Sequence, residues 1–295
     1  MKRCLALLLA GLVMLTALVL TGGQRPSDEG SGDLLVSRGE PKPRTSAPFP
    51  AGDTFHFAVV GDRTGAPRRG VFEKAVVQLN RLRPAFVLSV GDLIQGYSDD
   101  AKIVSAQWRE FENSVNKLTM PFFYTPGNHD ISNDLQETIW HDRLGRRYGH
   151  FVYRNVLFLL LNSEDPPASG GRLSSAQLAY AAKTLSECRS VAWTVVVLHR
   201  PLWDQDDIAE NGWLPLEAAL EGRKYTVFAG HEHSYRKFVR KRMAHYQLAT
   251  TGGGGELRGV PHGEFDHFAW VTMTKDGPVV ANVLLDGVLS DEPTR

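Results

Sequence analysis

Disulfide chemistry has little to work with in this chain: of 295 residues, only Cys4 and Cys188 carry thiols. Cys4 lies in an N-terminal apolar run, so no disulfide is expected once that run is removed or held in a membrane. The core, or a metal, must then stabilise the fold. An excess of charge of either sign is also missing, since 33 Lys and Arg face 33 Asp and Glu. No general field collects a polyanion, nucleic acid is not suggested as a partner, and a preference for anions must come from a local site. No repeat of solenoid length is present. With 42% hydrophobic and 22% charged residues, the composition also excludes a disordered chain. What remains is a packed globular enzyme or binding domain, with room for one large domain or two small ones.

The N-terminus reads as addressing. Lys2 and Arg3 precede an apolar stretch from Cys4 to Leu20 in which only Thr16 has a polar side chain, followed by Thr21-Gly22-Gly23. Residues 1–23 are therefore expected to be a secretion signal or, if uncleaved, a membrane anchor that tethers the chain. No Cys follows the run where a lipoprotein site would need one. Residues 24–54 carry Pro, Ser, Gly and charges with almost no periodic hydrophobics apart from Leu34-Leu35-Val36, and are expected to be a flexible spacer. The expected location is extracytoplasmic, secreted or periplasmic, or membrane-anchored.

From Phe55 onward, short apolar runs alternate with amphipathic stretches, and residues 55–290 are expected to form one α/β domain. The runs are Phe55 to Val60, Ala85 to Val90, Phe122 to Thr125, Val156 to Leu161, Val191 to Leu198 and Tyr225 to Ala229. They are too short for helices and largely without alternation, as strands covered on both faces would be. Val71, Ala75, Leu79 and Leu82 share one helical face, as do Leu178, Ala182 and Leu185 behind a Ser174 to Gln177 capping box; Trp108, Phe111 and Val115 mark a third helix. Tyr246 to Ala249, Ala269 to Met273 and Val279 to Leu285 are expected as an antiparallel tail.

The residues that follow the runs carry the chemistry. Asp62, Asp92, Asn128, His199 and the pair His231 and His233 each come after a strand. In open α/β sheets the carboxyl ends of strands share a crevice, so these residues can converge. Two carboxylates, one amide oxygen and three imidazoles are a mixed oxygen and nitrogen set that suits Mn, Fe or Zn, and it is large enough for two ions. The sixth run ends in Asn162-Ser163-Glu164, which can sit in the same crevice.

Gly61-Asp62, Gly91-Asp92, Gly127-Asn128-His129-Asp130, His199 and Gly230-His231-Glu232-His233, in this order, resemble the calcineurin-like metallophosphoesterases, whose relatives include the purple acid phosphatases. The resemblance implies a four-layer αββα sandwich with two mixed β-sheets and a dinuclear site along one edge. It implies that Asp62, Asp92 and His233 hold a first metal and that Asp92, Asn128, His199 and His231 hold a second, with Asp92 as the bridge. His129 would donate a proton to the leaving oxygen or stabilise phosphoryl charge, with Asp130 fixing its orientation. The activity implied is hydrolysis of a small phosphorylated substrate, a phosphomonoester or phosphodiester, by metal-activated hydroxide. No protein partner is inferable.

Two positions depart from the family pattern. Most members have a histidine where this chain has Thr64, so the first ion is expected to be labile, and purple acid phosphatases have a tyrosine where this chain has Gln95. Thr64 also keeps open a noncatalytic metal- or ligand-binding member of the same fold. Arg200 is read equally as a phosphate-pairing group and as a surface side chain; Arg63, Arg68 and Arg69 are candidates for positive potential at the crevice. The Thr250 to Gly255 run has no following Lys-Ser/Thr and is not a P-loop; it is expected to allow a tight backbone passage beside the metal edge. His262, Asp266 and His267 are candidates for lining the pocket.

Overall fold

The computed structural model describes residues 34–36, 54–285 and 287–290. Residues 1–23, expected as a signal or anchor, lie outside the described residues, as does the expected spacer except for residues 34–36 and 54. Among the described residues, no helix is long and apolar enough to cross a membrane.

The strands are β1 (Leu34–Val36), β2 (Phe55–Val60), β3 (Val87–Ser89), β4 (Phe122–Phe123), β5 (Gly149–Tyr153), β6 (Val156–Leu160), β7 (Trp193–Val197), β8 (Tyr225–Ala229), β9 (Arg236–Arg240), β10 (Met243–Gln247), β11 (His267–Thr274), β12 (Gly277–Leu284) and β13 (Gly287–Ser290). The helices are α1 (Val71–Leu82), α2 (Ala101–Val115), α3 (Asp134–Leu144), α4 (Ser175–Glu187) and α5 (Trp213–Ala219). One sheet has seven strands in the order β1-β5-β6-β7-β8-β10-β9, and the other has six in the order β13-β12-β11-β2-β3-β4. Both are mixed: β6, β7, β8 and β10 run parallel, as do β2, β3 and β4, and the outer strands are antiparallel.

Alternation along each buried strand builds the layers. Phe57 and Val59 of β2 point into the core between the sheets with Phe86, Phe158, Val195 and Phe228. Ala58 and Val60 point the other way, against Phe72, Leu79, Trp108 and Phe111 of α1 and α2. On the far side, Leu157, Leu159, Val196 and Val227 pack under α4 and α5 with Leu185, Trp213 and Leu216. This is the expected four-layer αββα arrangement, and it explains the unbroken apolar runs, because both faces of each central strand are covered.

Local details differ from the sequence reading. In α1 the buried face is Phe72, Ala75, Val76 and Leu79, and Leu82 is 46% exposed. The stripe turns to bury the largest apolar residue, Phe72, whose ring packs 5.5 Å from that of Phe111. In α4, Ser174 does cap Gln177 N–H, but the Gln177 amide reaches away from the cap, accepting from Asn162 N–H at 2.6 Å and donating to Asn162 C=O at 2.8 Å. That demand turns Gln177 and Ala181 inward and leaves Ala182 exposed. Of the expected antiparallel tail, β11 and β12 conform, whereas the strand at Tyr246 is β10, parallel to β8 in the other sheet and paired in a hairpin with β9. The Arg-Lys-Phe-Val-Arg of β9 is half-exposed and has no apolar run to announce it. Leu34–Val36, inside the expected spacer, pairs with β5 as an edge strand.

Candidate dinuclear metal centre

Each candidate ligand sits just past a strand: Asp62 after β2, Asp92 after β3, Asn128 after β4, His199 after β7, and His231 and His233 after β8. Small residues make the convergence possible. A Cβ on Gly127 would fall 2.2 Å from Asp92 Oδ1, and one on Gly230 would fall 2.2 Å from Asp62 Oδ2, so only glycine lets these loops approach the carboxylates. Asp92, His231 and His233 hold left-handed backbone at φ 56, 74 and 52, a conformation that costs such residues free energy and clusters at functional sites.

Two donor clusters result. Asp92, His199 and His231 place one ligand atom each within 4.8 Å of one another, as do Asp62, Asp92 and His233, so Asp92 belongs to both. His199 Nε2 lies 3.3 Å from Asp92 Oδ1, 2.9 Å from Asn128 Oδ1 and 3.2 Å from His231 Nδ1. His233 Nε2 lies 3.5 Å from Asp62 Oδ1. The opposite ring nitrogens are anchored: His199 Nδ1 donates to Val90 C=O at 3.0 Å and His233 Nδ1 to Gly254 C=O at 2.6 Å. Such anchoring fixes the tautomer and leaves Nε2 facing the cluster. Asn128 is oriented likewise, since its Nδ2 donates to the Tyr97 hydroxyl at 2.9 Å and leaves Oδ1 toward His199.

Electrostatics agree with a cation site. Burial alone would push the His199 imidazole down, but Asp92, with help from Asp62 and Glu164, overrides it and raises the ring to about 10. Burial likewise opposes ionisation of Asp92, yet the charge and hydrogen bond of His199, and the neighbouring His129, hold its carboxyl well below the usual range. The protonated ring thus occupies a negative, buried cage. Hard carboxylates with borderline imidazoles fit divalent transition-metal ions, and the residues present are sufficient for two.

The neighbouring residues divide into those placed as expected and those that are not. His129 is at the site: its Nε2 is 3.9 Å from Asp92 Oδ2 and its backbone N–H donates to Asp92 Oδ1. Asp130 is not what orients it. The fully buried Asp130 carboxylate accepts from Leu93 N–H at 2.8 Å, Ile94 N–H at 3.1 Å and Gly127 N–H at 2.9 Å, tying the Asp92 loop to the Asn128 loop. His129 Nδ1 instead donates to Gln95 C=O at 2.7 Å. The backbone explains the difference, because the turn at Gly127 folds residue 130 inward while residue 129 faces the crevice. Thr64 is buried, and its hydroxyl donates to Gln95 Oε1 at 2.9 Å, so the two positions that depart from the family pattern are paired with each other.

Two of the first-loop arginines, Arg63 and Arg68, serve the scaffold, whereas Arg69 is exposed. Arg63 is buried between the rings of Phe72 and Phe111 and donates to Leu93 C=O, while Arg68 pairs with Asp266 and donates to Gly253 C=O. Asp266 and His267 are engaged by the scaffold: Asp266 is held by Arg68, and the buried His267 Nε2 accepts from Ala249 N–H. The glycine run does make a tight passage, since a Cβ at Gly253 would meet Thr64 C=O at 2.5 Å. Asn162, Ser163 and Glu164 are buried beside the site, with Glu164 accepting from Arg200 Nε at 2.7 Å and Ser163 Oγ from Arg200 N–H. Gln95 was legible only as a departure from the purple acid phosphatase pattern; nothing in the sequence announced its bonds to Thr64 and His129, or the bond of Tyr97 to Asn128.

Solved structures of similar fold include a dimetal phosphatase from Danio rerio, at 17% identity with a TM-score of 0.60, covering 81% of this chain and 99% of that one. A purple acid phosphatase from yellow lupin seeds is 13% identical with a TM-score of 0.63, covering 83% of this chain and 54% of that one. GAP50, the anchor in the inner membrane complex of Plasmodium, is 14% identical with a TM-score of 0.60, covering 82% and 90%. At such identities the likeness is one of fold. No curated protein matches the chain by sequence. A calcineurin-like phosphoesterase family model matches residues 55–235, more than half of the chain. On that match the chain belongs to the calcineurin-like phosphoesterases.

Proposed function

We propose that the protein is an exported, metal-dependent phosphoesterase acting on a small phosphomonoester or phosphodiester. The observation that carries this reading is the pair of donor clusters that share the buried Asp92. Two ions, when bound, supply Lewis-acid polarisation of phosphoryl oxygens and lower the pKa of water. Asp62, Asp92 and His233 would hold the first, and Asp92, Asn128, His199 and His231 the second. The first set is the smaller, and the hydroxyl of Thr64 is engaged by Gln95, so we expect the first ion to be labile.

The chain's own groups do the rest. With His129 Nδ1 donating to Gln95, Nε2 is the end of the ring that faces the crevice, and there it delivers a proton to the leaving oxygen. Asp130 keeps the two ligand loops at a fixed separation, and Tyr97 holds the Asn128 amide with its oxygen inward. Export rests on the N-terminal apolar run, which also supplies a tether if it is retained.

A second reading, a noncatalytic metal- or ligand-binding member, draws on Thr64 and on the fold likeness to GAP50. One experiment separates the two. Purified protein is stripped of metal, titrated with Mn, Zn, Fe or Mg, and assayed on matched nitrophenyl phosphate mono- and diesters. Metal-dependent turnover that disappears in Asn128→Ala and His231→Ala supports the enzyme, and the monoester to diester ratio selects the substrate class. Tight binding of one ion with no turnover on either ester rejects it in favour of the second reading.

A further inference from the structure

Among the described residues, every other exposed large apolar side chain belongs to a helix or a strand, as such side chains do on any surface, but Tyr97 does not. Tyr97 is 60% exposed and lies in the loop between β3 and α2. Its hydroxyl accepts from Nδ2 of the candidate ligand Asn128 at 2.9 Å, and its ring stands at 85° to that of His129 with the centroids 4.7 Å apart. An aromatic face is thus left in solvent directly beside the metal centre.

The backbone holds this ring in place. Tyr97 has φ 49 and Gly96 has φ 58, left-handed values that cost a tyrosine free energy and that persist only where the surroundings impose them. Gly96 N–H donates to Gln107 Oε1 at 2.8 Å, Gln95 C=O accepts from His129 Nδ1 at 2.7 Å, and a Cβ on Gly96 would run into His129 C=O. A ring fixed at its hydroxyl and by the backbone before it loses little freedom when a ligand packs on it, so most of the contact energy is kept.

His129 gives the direction. In the reading above its Nε2 delivers a proton to the leaving oxygen, so the group that this oxygen carries comes to lie beside His129, and the ring packed against His129 is that of Tyr97. The other exposed side chains of this loop, Gln95, Asp99 and Asp100, are polar. Tyr97 alone among them offers apolar area and a π-face.

We propose that Tyr97 is a specificity-determining residue that packs against an aromatic ring on the leaving oxygen, so that the preferred substrates are aryl esters of phosphate. This rests on the phosphoesterase reading and deepens it to a substrate class.

The test is calorimetric, on full-length protein saturated with Mn²⁺, with benzylphosphonate and ethylphosphonate as ligands. In both, a CH₂ group replaces the ester oxygen, so neither is hydrolysed. Wild type should bind benzylphosphonate about tenfold more tightly than ethylphosphonate. Tyr97→Phe keeps the ring and loses the bond to Asn128, and it should keep that ratio even where both affinities fall. Tyr97→Ala loses both and should bring the two ligands within about twofold of each other. The Phe variant thus separates the ring from the orientation of Asn128, and it decides the proposal by itself if a melting curve shows Tyr97→Ala to be unfolded. A ratio that survives in Tyr97→Ala or disappears in Tyr97→Phe would overturn the proposal, as would equal binding of the two ligands by wild type. Cyclohexylmethylphosphonate, as bulky but not flat, should bind more weakly than benzylphosphonate; equal binding would overturn the choice of an aromatic group. Failure of the wild type to hydrolyse either nitrophenyl ester would remove the phosphoesterase reading, while the three phosphonates still decide what Tyr97 binds.

Discussion

Replacing Asp130 by Asn tests whether this residue serves His129 or the loops. In the structure the carboxylate takes Leu93 and Ile94 N–H on Oδ1 and Gly127 N–H on Oδ2. An Asn keeps one oxygen for the first two and sets its NH₂ against Gly127 N–H, leaving buried donors facing each other. Each orphaned buried donor costs about 1–3 kcal/mol, so the variant should lose about 2–4 kcal/mol. In a domain of this size that is a fall in Tm of about 5–15 °C. His129→Ala removes a side chain that is partly exposed and bonded to a carbonyl, and should cost less than about 1 kcal/mol. Because the two side chains share no hydrogen-bond partner and meet only through the charge of Asp92, the double variant should be additive within about 0.5 kcal/mol. The assay is urea unfolding of the metal-stripped proteins at pH 8. Burial and the charge of Asp92 push the Asp130 carboxyl up to about 7, so it is largely ionised there. A coupling above about 1 kcal/mol, or an Asp130→Asn protein as stable as wild type, would refute the assignment of Asp130 to the loops.

Gly127→Ala should abolish binding of both ions and lower Tm as well, because its Cβ would fall 2.2 Å from Asp92 Oδ1 and 2.6 Å from the Asp92 backbone nitrogen; metal titration beside a melting curve checks it. Tyr97→Phe should weaken the second ion by up to about tenfold and leave the first unchanged, as expected when the partner that orients a ligand is lost. The metal-stripped protein should lose stability as pH rises. The His199 ring titrates at about 10 in the fold against an ordinary 6.5, so its contribution is complete below about 6.5 and is lost as pH climbs through about 10. Denaturant melts across that range should show the decline in stripped protein; a flat profile would contradict the placement of His199 between the carboxylates.

Which parts could be read from the chain follows from how each is encoded. Strands buried on both faces announce themselves as apolar runs, and polar residues at their ends converge by topology, so Asp62, Asp92, Asn128, His199, His231 and His233 were legible before any coordinates. Half-exposed elements were not: β9 and α3 bury too few side chains to leave a periodic trace, with only Gln136 and Trp140 of α3 buried. Partners chosen by backbone direction were also hidden. Asp130 was expected beside His129 because they are neighbours in sequence, yet the turn at Gly127 sends them apart. Gln177 looked like half of a capping box and proved to be the clamp on Asn162, since a buried peptide group outbids a helix end that water can serve.

The strands that carry the ligands sort them by element. Asp62, Asp92 and Asn128, all oxygen donors, hang from the six-stranded sheet, while His199, His231 and His233, all nitrogen donors, hang from the seven-stranded one. Each ion would therefore be a rivet through two plates, hard ligands above and borderline ligands below. The spacing between the sheets, filled by Phe57, Phe86, Phe158 and Phe228, would then set the distance between the two kinds of ligand. A change in the thickness of that aromatic filling, made well away from the crevice, would shift every oxygen relative to every nitrogen at once.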